Sequence, residues 1–527
     1  MVPRTRTGMS ADLVLHNVRI FTCDDGRQDA GLVAIRGDRI LAVGPEHDLG
    51  LFAGTGVTLL DCAGATAIPG FNDAHCHPMS LAISLLTVDC SSPAVRSIPE
   101  LQARIRERAD RTTADCWIRA TGFDEALLAE GRPPTRWELD GATSRHPVVL
   151  VHATGQSCVL NSAALQRAGI CSSGPDGAGQ GIRLDPDTGE PTGLVVGRQD
   201  RVARAIPPPD AGELERGMRQ ASLTCLAQGI TSVQDTSWTN GWHQWQLWHR
   251  LVAAGAVGPR VSMMAGTESL RTFREAGLAT GNGDRHLRLG AFKLALDEST
   301  GVPHPPRAEI NELALVAHEA GFQLAFHVPD PWMLEVSLAA IAFVRRRCQR
   351  HAPGECDSPG FRLEHCIVCP PDVLGRLRAS RATVVTQPAF MHRFGASYGE
   401  AAPPEQTGWF CPIASLRRHG IDVAFSSDAP LMGSNPFAGI QAAVTRQTDA
   451  GQALDLRQAV AARDALEMYT AGGARASLEG GDKGTIRAGM LADLALLDRD
   501  PTRLAAGELS GVKVLRTIVG GRILWEA

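Results

Sequence analysis

The chain of 527 residues has no excess of basic charge: acidic residues outnumber basic ones 57 to 52, for a formal charge of −5. Its longest Lys/Arg run is Arg345-Arg346-Arg347, whereas counterion-driven binding to nucleic acid or an anionic membrane surface needs a basic excess somewhere. No apolar stretch approaches the ~18 uninterrupted residues that a bilayer-spanning helix requires. Met1 to Ser10 is basic but lacks an apolar h-region, so it is not read as a secretory signal. The 13 cysteines are odd in number and scattered, and Cys366–Cys369 has no second C-x-x-C partner. That excludes an obvious disulfide scaffold and fits a reduced, cytoplasmic chain. Internal repeats and low-complexity segments are also missing.

What is present falls into two patterns. Near the N-terminus, Leu13 to Ile20, Gly31 to Val43 and Gly56 to Leu60 are short alternating runs bounded by Gly, Asp or Asn. The same punctuation returns at Leu491 to Leu497, Val512 to Ile518 and Arg522 to Trp525. These two sets predict one small β-sandwich built from both termini (1–66 and 481–527). Between them, strands alternate with helices. Eight apolar, β-branched-rich runs are Ala67 to Ala74, Gly229 to Val233, Arg260 to Ala265, Leu287 to Leu296, Gln323 to His327, Phe361 to His365, Thr383 to Gln387 and Asp422 to Ser427. A typical intervening helix, Glu309 to Glu319, repeats its apolar positions at i, i+3, i+4 and i+7 and stops at Gly321. The reading is α/β, a (β/α)8 TIM barrel over 67–480. The interval between the first two runs is too long for one crossover. It holds a helical segment (Ile98 to Ala109), a strand-like Pro147 to Val151 and the Gly-rich Gly174 to Gly181, which predict an insertion at about 95–210.

Five of the runs carry a side chain able to bind a metal. The first ends in His75-Cys76-His77, and imidazoles at i and i+2 on an extended segment share a face. The fourth contains Lys293, which is costly to bury as an ammonium. His327 and His365 end the fifth and sixth, and Ser427-Asp428 follows the eighth. Taken singly, each has a plain explanation: a chance surface pair, a snorkelling lysine, a hydrogen-bonded core histidine, a helix cap ahead of Ala429-Pro430. Their recurrence at the ends of barrel strands, which converge on one face, points to one catalytic site.

The chain resembles the amidohydrolase superfamily over nearly its whole length, within the amidohydrolase 3 subgroup that includes N-substituted formamide deformylases. The resemblance rests on Pro69-Gly70-Phe71-Asn72-Asp73-Ala74-His75-Cys76-His77, Lys293, His327, Glu364-His365, Gln387-Pro388, Ser427-Asp428 and the tail Gly484 to Leu494. Pro134-Thr135-Arg136, Asn161-Ser162, Gly189-Glu190-Pro191-Thr192-Gly193 and Gly229 to Val233 add to it; the first and third are specific to the subgroup. It implies that His75 and His77 bind one divalent ion together with Asp428, and that His327 and His365 bind a second. Lys293, carboxylated by CO2, would bridge them; two Zn2+ ions are the default for such N/O ligands. Asp428 would take the proton of the attacking water and pass it to the departing nitrogen. The implied activity is hydrolysis of a non-peptide C–N bond, in an N-substituted formamide or other small N-acyl compound. Deamination or cyclic-amide opening at the same centre is the enzymatic alternative, and a silent scaffold the alternative of another class. The implied partner is a small-molecule substrate, with a homodimer as the candidate assembly.

Three departures from the subgroup bear on specificity: Val328-Pro329-Asp330-Pro331 after His327, Gln156 after Gly155, and Gln234 where His is frequent. All three are expected nearer substrate than metal. Asp330 also stands where superfamily deaminases usually have Glu. Candidate substrate contacts are His152, Gln156, Gln387, His392 and Trp409, with Phe123 and Met79 as walls. Asp73 is expected to orient His75 or His77, and Trp242, Trp245 and Trp248 to line a buried helix face.

Overall fold

The computed structural model describes residues 10–23, 30–154, 156–170, 181–196, 202, 206–295, 305–348 and 359–527. Gly155 and most of the Gly-rich stretch (174–180) lie outside them. The chain forms two compact units, Met1–Leu81 with Met218–Ala527, and Ala82–Gly217.

The first unit holds an eight-stranded parallel sheet: β1 (Phe71–Cys76), β2 (Ile230–Asp235), β3 (Arg260–Gly266), β4 (Leu287–Leu294), β5 (Leu324–Val328), β6 (Phe361–His365), β7 (Thr383–Thr386) and β8 (Val423–Phe425). Each strand pairs with the next in chain order. Strands buried on both faces read as nearly unbroken apolar runs, which is why all eight were visible as such. The ring is drawn together at its rim, where the Asp428 N–H donates to the His75 carbonyl and the His77 N–H to that of Ala429, both at 2.8 Å. This is the (β/α)8 barrel of the sequence reading.

The first predicted run divides in two. Thr66–Pro69 joins a five-stranded sheet, and only after Gly70 does the chain enter β1. A Cβ at Gly70 would meet the Thr231 side chain at 2.2 Å, so only glycine lets the chain change sheets here. That sheet runs in the order Arg19–Ile20, Thr66–Pro69, Leu494–Leu497, Val514–Val519, Arg522–Glu526, with strands from both ends of the chain. A four-stranded sheet (Arg39–Gly44, Leu32–Arg36, Leu13–His16, Thr58–Asp61) shares its core, in which Leu15, Val33 and Ile35 pack with Ala67, Leu494, Leu496 and Ile518. A buried ion pair ties this region to the barrel: Arg260, at the start of β3, donates Nε and Nη2 to Asp493 at 2.7 and 2.9 Å.

The second unit is a six-stranded sheet in the order Ile182–Leu184, Pro191–Val196, Ser157–Leu160, Val148–His152, Ile118–Phe123, Val88–Asp89. Helices Ile98–Asp110, Arg136–Ala142 and Ser162–Arg167 accompany it. The subgroup motifs are its joints. Thr135 and Glu138 form a capping box at the second helix. Asn161 is fully buried and uses its whole amide: Oδ1 accepts from the Val148 and Ala164 N–H groups, and Nδ2 donates to the Thr143 and His146 carbonyls. Gly193 has a φ of +98°, and a Cβ there would lie 2.5 Å from the Leu160 carbonyl oxygen.

Candidate metal centre

The C-terminal ends of β1, β4, β5, β6 and β8 deliver the predicted cluster. The imidazoles of His75 and His365 have centroids 4.5 Å apart, those of His327 and His365 4.7 Å, and those of His75 and His77 5.6 Å. Asp428 Oδ1 stands 3.1 Å from His77 Nε2 and 3.6 Å from His75 Nε2. One ligand atom each from His75, His365 and Asp428 lies within 4.8 Å of the others. His365 and Asp428 both adopt left-handed backbone, with φ of +73° and +56°. Such backbone costs a non-glycine residue about 1 kcal/mol or more and recurs where geometry serves function. At His365 it breaks the pleat's alternation, so the ring leaves the line that Phe361 to Glu364 follow.

Electrostatics set the protonation states. Burial holds His75 and His365 well below the usual histidine range, and the Lys293 charge adds to the effect. His327 is pushed to about 4 for the same two reasons. All three are therefore neutral near pH 7, the form that binds metals. Burial also pushes Lys293 down to about 8, against the opposing pull of Glu364. Its Nζ is buried and has no hydrogen-bond partner among the described residues. An orphaned amine beside neutral imidazoles and a carboxylate is costly in a metal-free protein, and the donor set suits a divalent ion with N/O preference.

The far sides of the His75 and His365 imidazoles are held. His75 Nδ1 donates to Glu364 at 2.6 Å, and Arg362 clamps that carboxylate through Nε at 2.8 Å. The same guanidinium donates to Gln234 Oε1 and, at 2.8 Å, to the Ala74 carbonyl. His365 Nδ1 donates to Gln387 Oε1 at 2.9 Å, and Gln387 Nε2 donates to Ser426 at 2.9 Å.

Several expectations need correction on these contacts. Gln387 is fully buried with both ends of its amide engaged, so it orients His365 and has no surface for substrate. Gln234 is likewise buried, donating to Asn72 and the Gly473 carbonyl; it belongs to the floor of the centre. Asp73 does not reach a ring. Its carboxylate accepts from the Ser427 N–H at 2.9 Å and from the Ser427 hydroxyl, holding the turn that presents Asp428. Asp330 caps the helix Pro331–Cys348, accepting from the Met333 N–H at 2.8 Å. Phe123 sits in the core of the second unit. His152, in that same unit, bonds Thr154 and lies 3.1 Å from Glu125, while Gln156 is exposed there. In the first unit, His392 is exposed and donates to the Gln447 carbonyl, Trp409 ends the turn Pro404–Trp409, and Met79 is partly buried after β1. Trp245 and Trp248 line the buried face of Trp242–Ala253, and Trp242 is partly exposed.

Residues 58–525 match the sequence profile of the amidohydrolase family. The chain belongs to that family. This amidohydrolase acts on carbon–nitrogen bonds other than peptide bonds. It is 29% identical over 545 residues to the N-substituted formamide deformylase of Arthrobacter pascens, covering 98% of both chains. A metal-dependent hydrolase structure from Pyrococcus furiosus superposes with a TM-score of 0.75 at 24% identity, covering 93% of this amidohydrolase and 100% of that chain. A zinc-bound adenosine deaminase from Xanthomonas campestris superposes with a TM-score of 0.56 at 14% identity, over 98% and 93% of the two chains. At these identities the superpositions speak for the fold.

Proposed function

We propose that this amidohydrolase is metal-dependent and cleaves the amide bond of a small N-substituted formamide or N-acyl compound, with His75, His77, Lys293, His327, His365 and Asp428 as its metal site. The observation that carries the reading is the buried amine of Lys293, without a hydrogen-bond partner among the described residues and set among the imidazoles of His75, His327 and His365 and the Asp428 carboxylate. His75, His77 and Asp428 would hold one divalent ion, and His327 and His365 a second. Divalent ions bound there would polarise a carbonyl oxygen and bring the pKa of water towards about 7.

The protein's own groups supply the rest. With its pKa near 8, roughly a tenth of Lys293 is the neutral, nucleophilic amine at pH 7. Its nitrogen lone pair adds to CO2, one proton leaves to water, and the resulting carbamate anion offers oxygen ligands where an ammonium would repel cations. Asp428 faces the Nε2 atoms of His75 and His77. In that position its carboxylate takes the proton of the attacking water and passes it to the departing nitrogen, releasing carboxylic acid and amine. Full-length similarity to a formamide deformylase supports the choice of amide. The engagement of Asp330 as a helix cap speaks against deamination that relies on an acid at that position.

A panel of N-substituted formamides, longer N-acyl amides and amino-heterocycles, assayed on zinc-loaded protein, tests the proposal. Amine and formate released from the first group are expected. Turnover confined to heterocycles, with ammonia as product, would overturn it.

A further inference from the structure

His75 and His77 occupy equivalent places in the H-x-H pair, yet their outer nitrogens are held differently. Behind His75 stands the charged Glu364–Arg362 pair. Behind His77 stands a neutral hydroxyl: Nδ1 lies 3.0 Å from Ser237 Oγ. That hydroxyl lies 2.7 Å from Oδ1 of Asp235, which is fully buried at the end of β2. The Ser237 N–H donates to the same oxygen at 3.1 Å, and Trp248 Nε1 donates to Oδ2 at 3.1 Å.

Chemistry fixes the direction of this chain. An ionised carboxylate only accepts, so the single Ser237 proton points to Asp235, in a short charge-assisted bond. The hydroxyl lone pairs then face His77, whose Nδ1 must carry the ring proton. Nε2 is left with its lone pair towards Asp428, 3.1 Å away. Because Trp248 and the Ser237 N–H hold Asp235 in place, the arrangement is fixed before any ligand arrives.

We infer that Asp235 and Ser237 are positioning residues that lock His77 in its Nδ1–H tautomer and aim Nε2 at the metal site. The inference rests on the proposed metal site and adds to it the device that prepares a partly exposed imidazole, 29% accessible against 2% for His75. A well-buried ring is held by packing; one open to solvent on one side needs a directional bond to stop it rotating.

The test is zinc affinity, measured by competition with a chromophoric chelator on metal-stripped full-length protein whose fold is checked by circular dichroism. Ser237→Ala should bind zinc about 10–100-fold more weakly, as is usual when a partner of a ligating histidine is lost. Ser237→Thr, which keeps the hydroxyl, should stay within about threefold of the parent. Asp235→Asn, which can donate to Ser237 and reverse the chain, should weaken binding like Ser237→Ala. Trp248→Phe, which leaves the Asp235–Ser237–His77 chain intact, should change affinity less than either. Folded Ser237→Ala and Asp235→Asn proteins that bind zinc as tightly as the parent would overturn the inference while leaving the metal site standing. A parent that binds no zinc would remove the site itself.

Discussion

The barrel rim and the inserted unit spend their buried polar groups in opposite ways. Asn161 makes four hydrogen bonds and leaves nothing over, and the Thr135–Glu138 capping box closes on itself. At the rim, by contrast, Lys293 Nζ has no hydrogen-bond partner among the described residues, three imidazoles are kept neutral by burial, and His365 and Asp428 hold left-handed backbone. These two joints of the inserted unit are satisfied without a ligand, whereas the rim is assembled at a cost that a ligand would repay. Motifs specific to the subgroup can thus be architectural, while the chemistry rests on residues shared more widely.

That contrast predicts which property each substitution moves. Asp428→Asn should lower kcat by about a thousandfold or more, equivalent to ~4 kcal/mol of transition-state stabilisation, with the fold retained. Steady-state kinetics on zinc-loaded protein decides it, and activity within tenfold of the parent would remove the proton-transfer role. Asn161→Ala should do the reverse. It strands four backbone groups and should cost about 3 kcal/mol of stability, read by urea denaturation, with zinc affinity unchanged.

The rim should also reveal itself through pH. His327 is pushed from the usual 6.5 to about 4, so between those values the unfolded chain binds more protons than the folded one. Metal-stripped protein should therefore lose stability as pH falls from 6.5 to 4, by up to ~3 kcal/mol from this group alone. His75 and His365 shift in the same direction. A flat profile over that range would mean the rings are not buried as neutral bases. Thr135→Ala should give the smallest effect, about 1 kcal/mol of stability through loss of the cap, with no change at the rim.

Much of this was legible in the sequence because buried parallel strands announce themselves and an apolar strand ending in histidine is conspicuous. All eight barrel strands lie within or overlap the predicted runs, and the H-x-H pair, His327, His365 and Asp428 come together at one rim. The supports behind them were harder to read. Arg362 and Glu364 alternate along β6, and two charges on one face of a buried strand carry the same signal that drew attention to Lys293. Gln387 resembled a pocket residue because its distance to His365 depends on the barrel closing, which adjacent sequence does not encode. Ser237 and Asp235 gave still less warning: the polar turn after β2 reads as an ordinary connection until the fold brings it beside His77. Gly70 shows the reverse limit, since one run in sequence serves two sheets in space.

The central claim is that six side chains from distant parts of the chain hold divalent metal around a carboxylated lysine. Metal content of the purified protein and of Lys293→Ala, determined by inductively coupled plasma mass spectrometry after equilibration with zinc and bicarbonate, tests it most directly. Two zinc equivalents per chain in the parent, with at least one lost in folded Lys293→Ala, is the predicted result. A parent free of tightly bound metal, or a variant that retains both equivalents, would contradict the account.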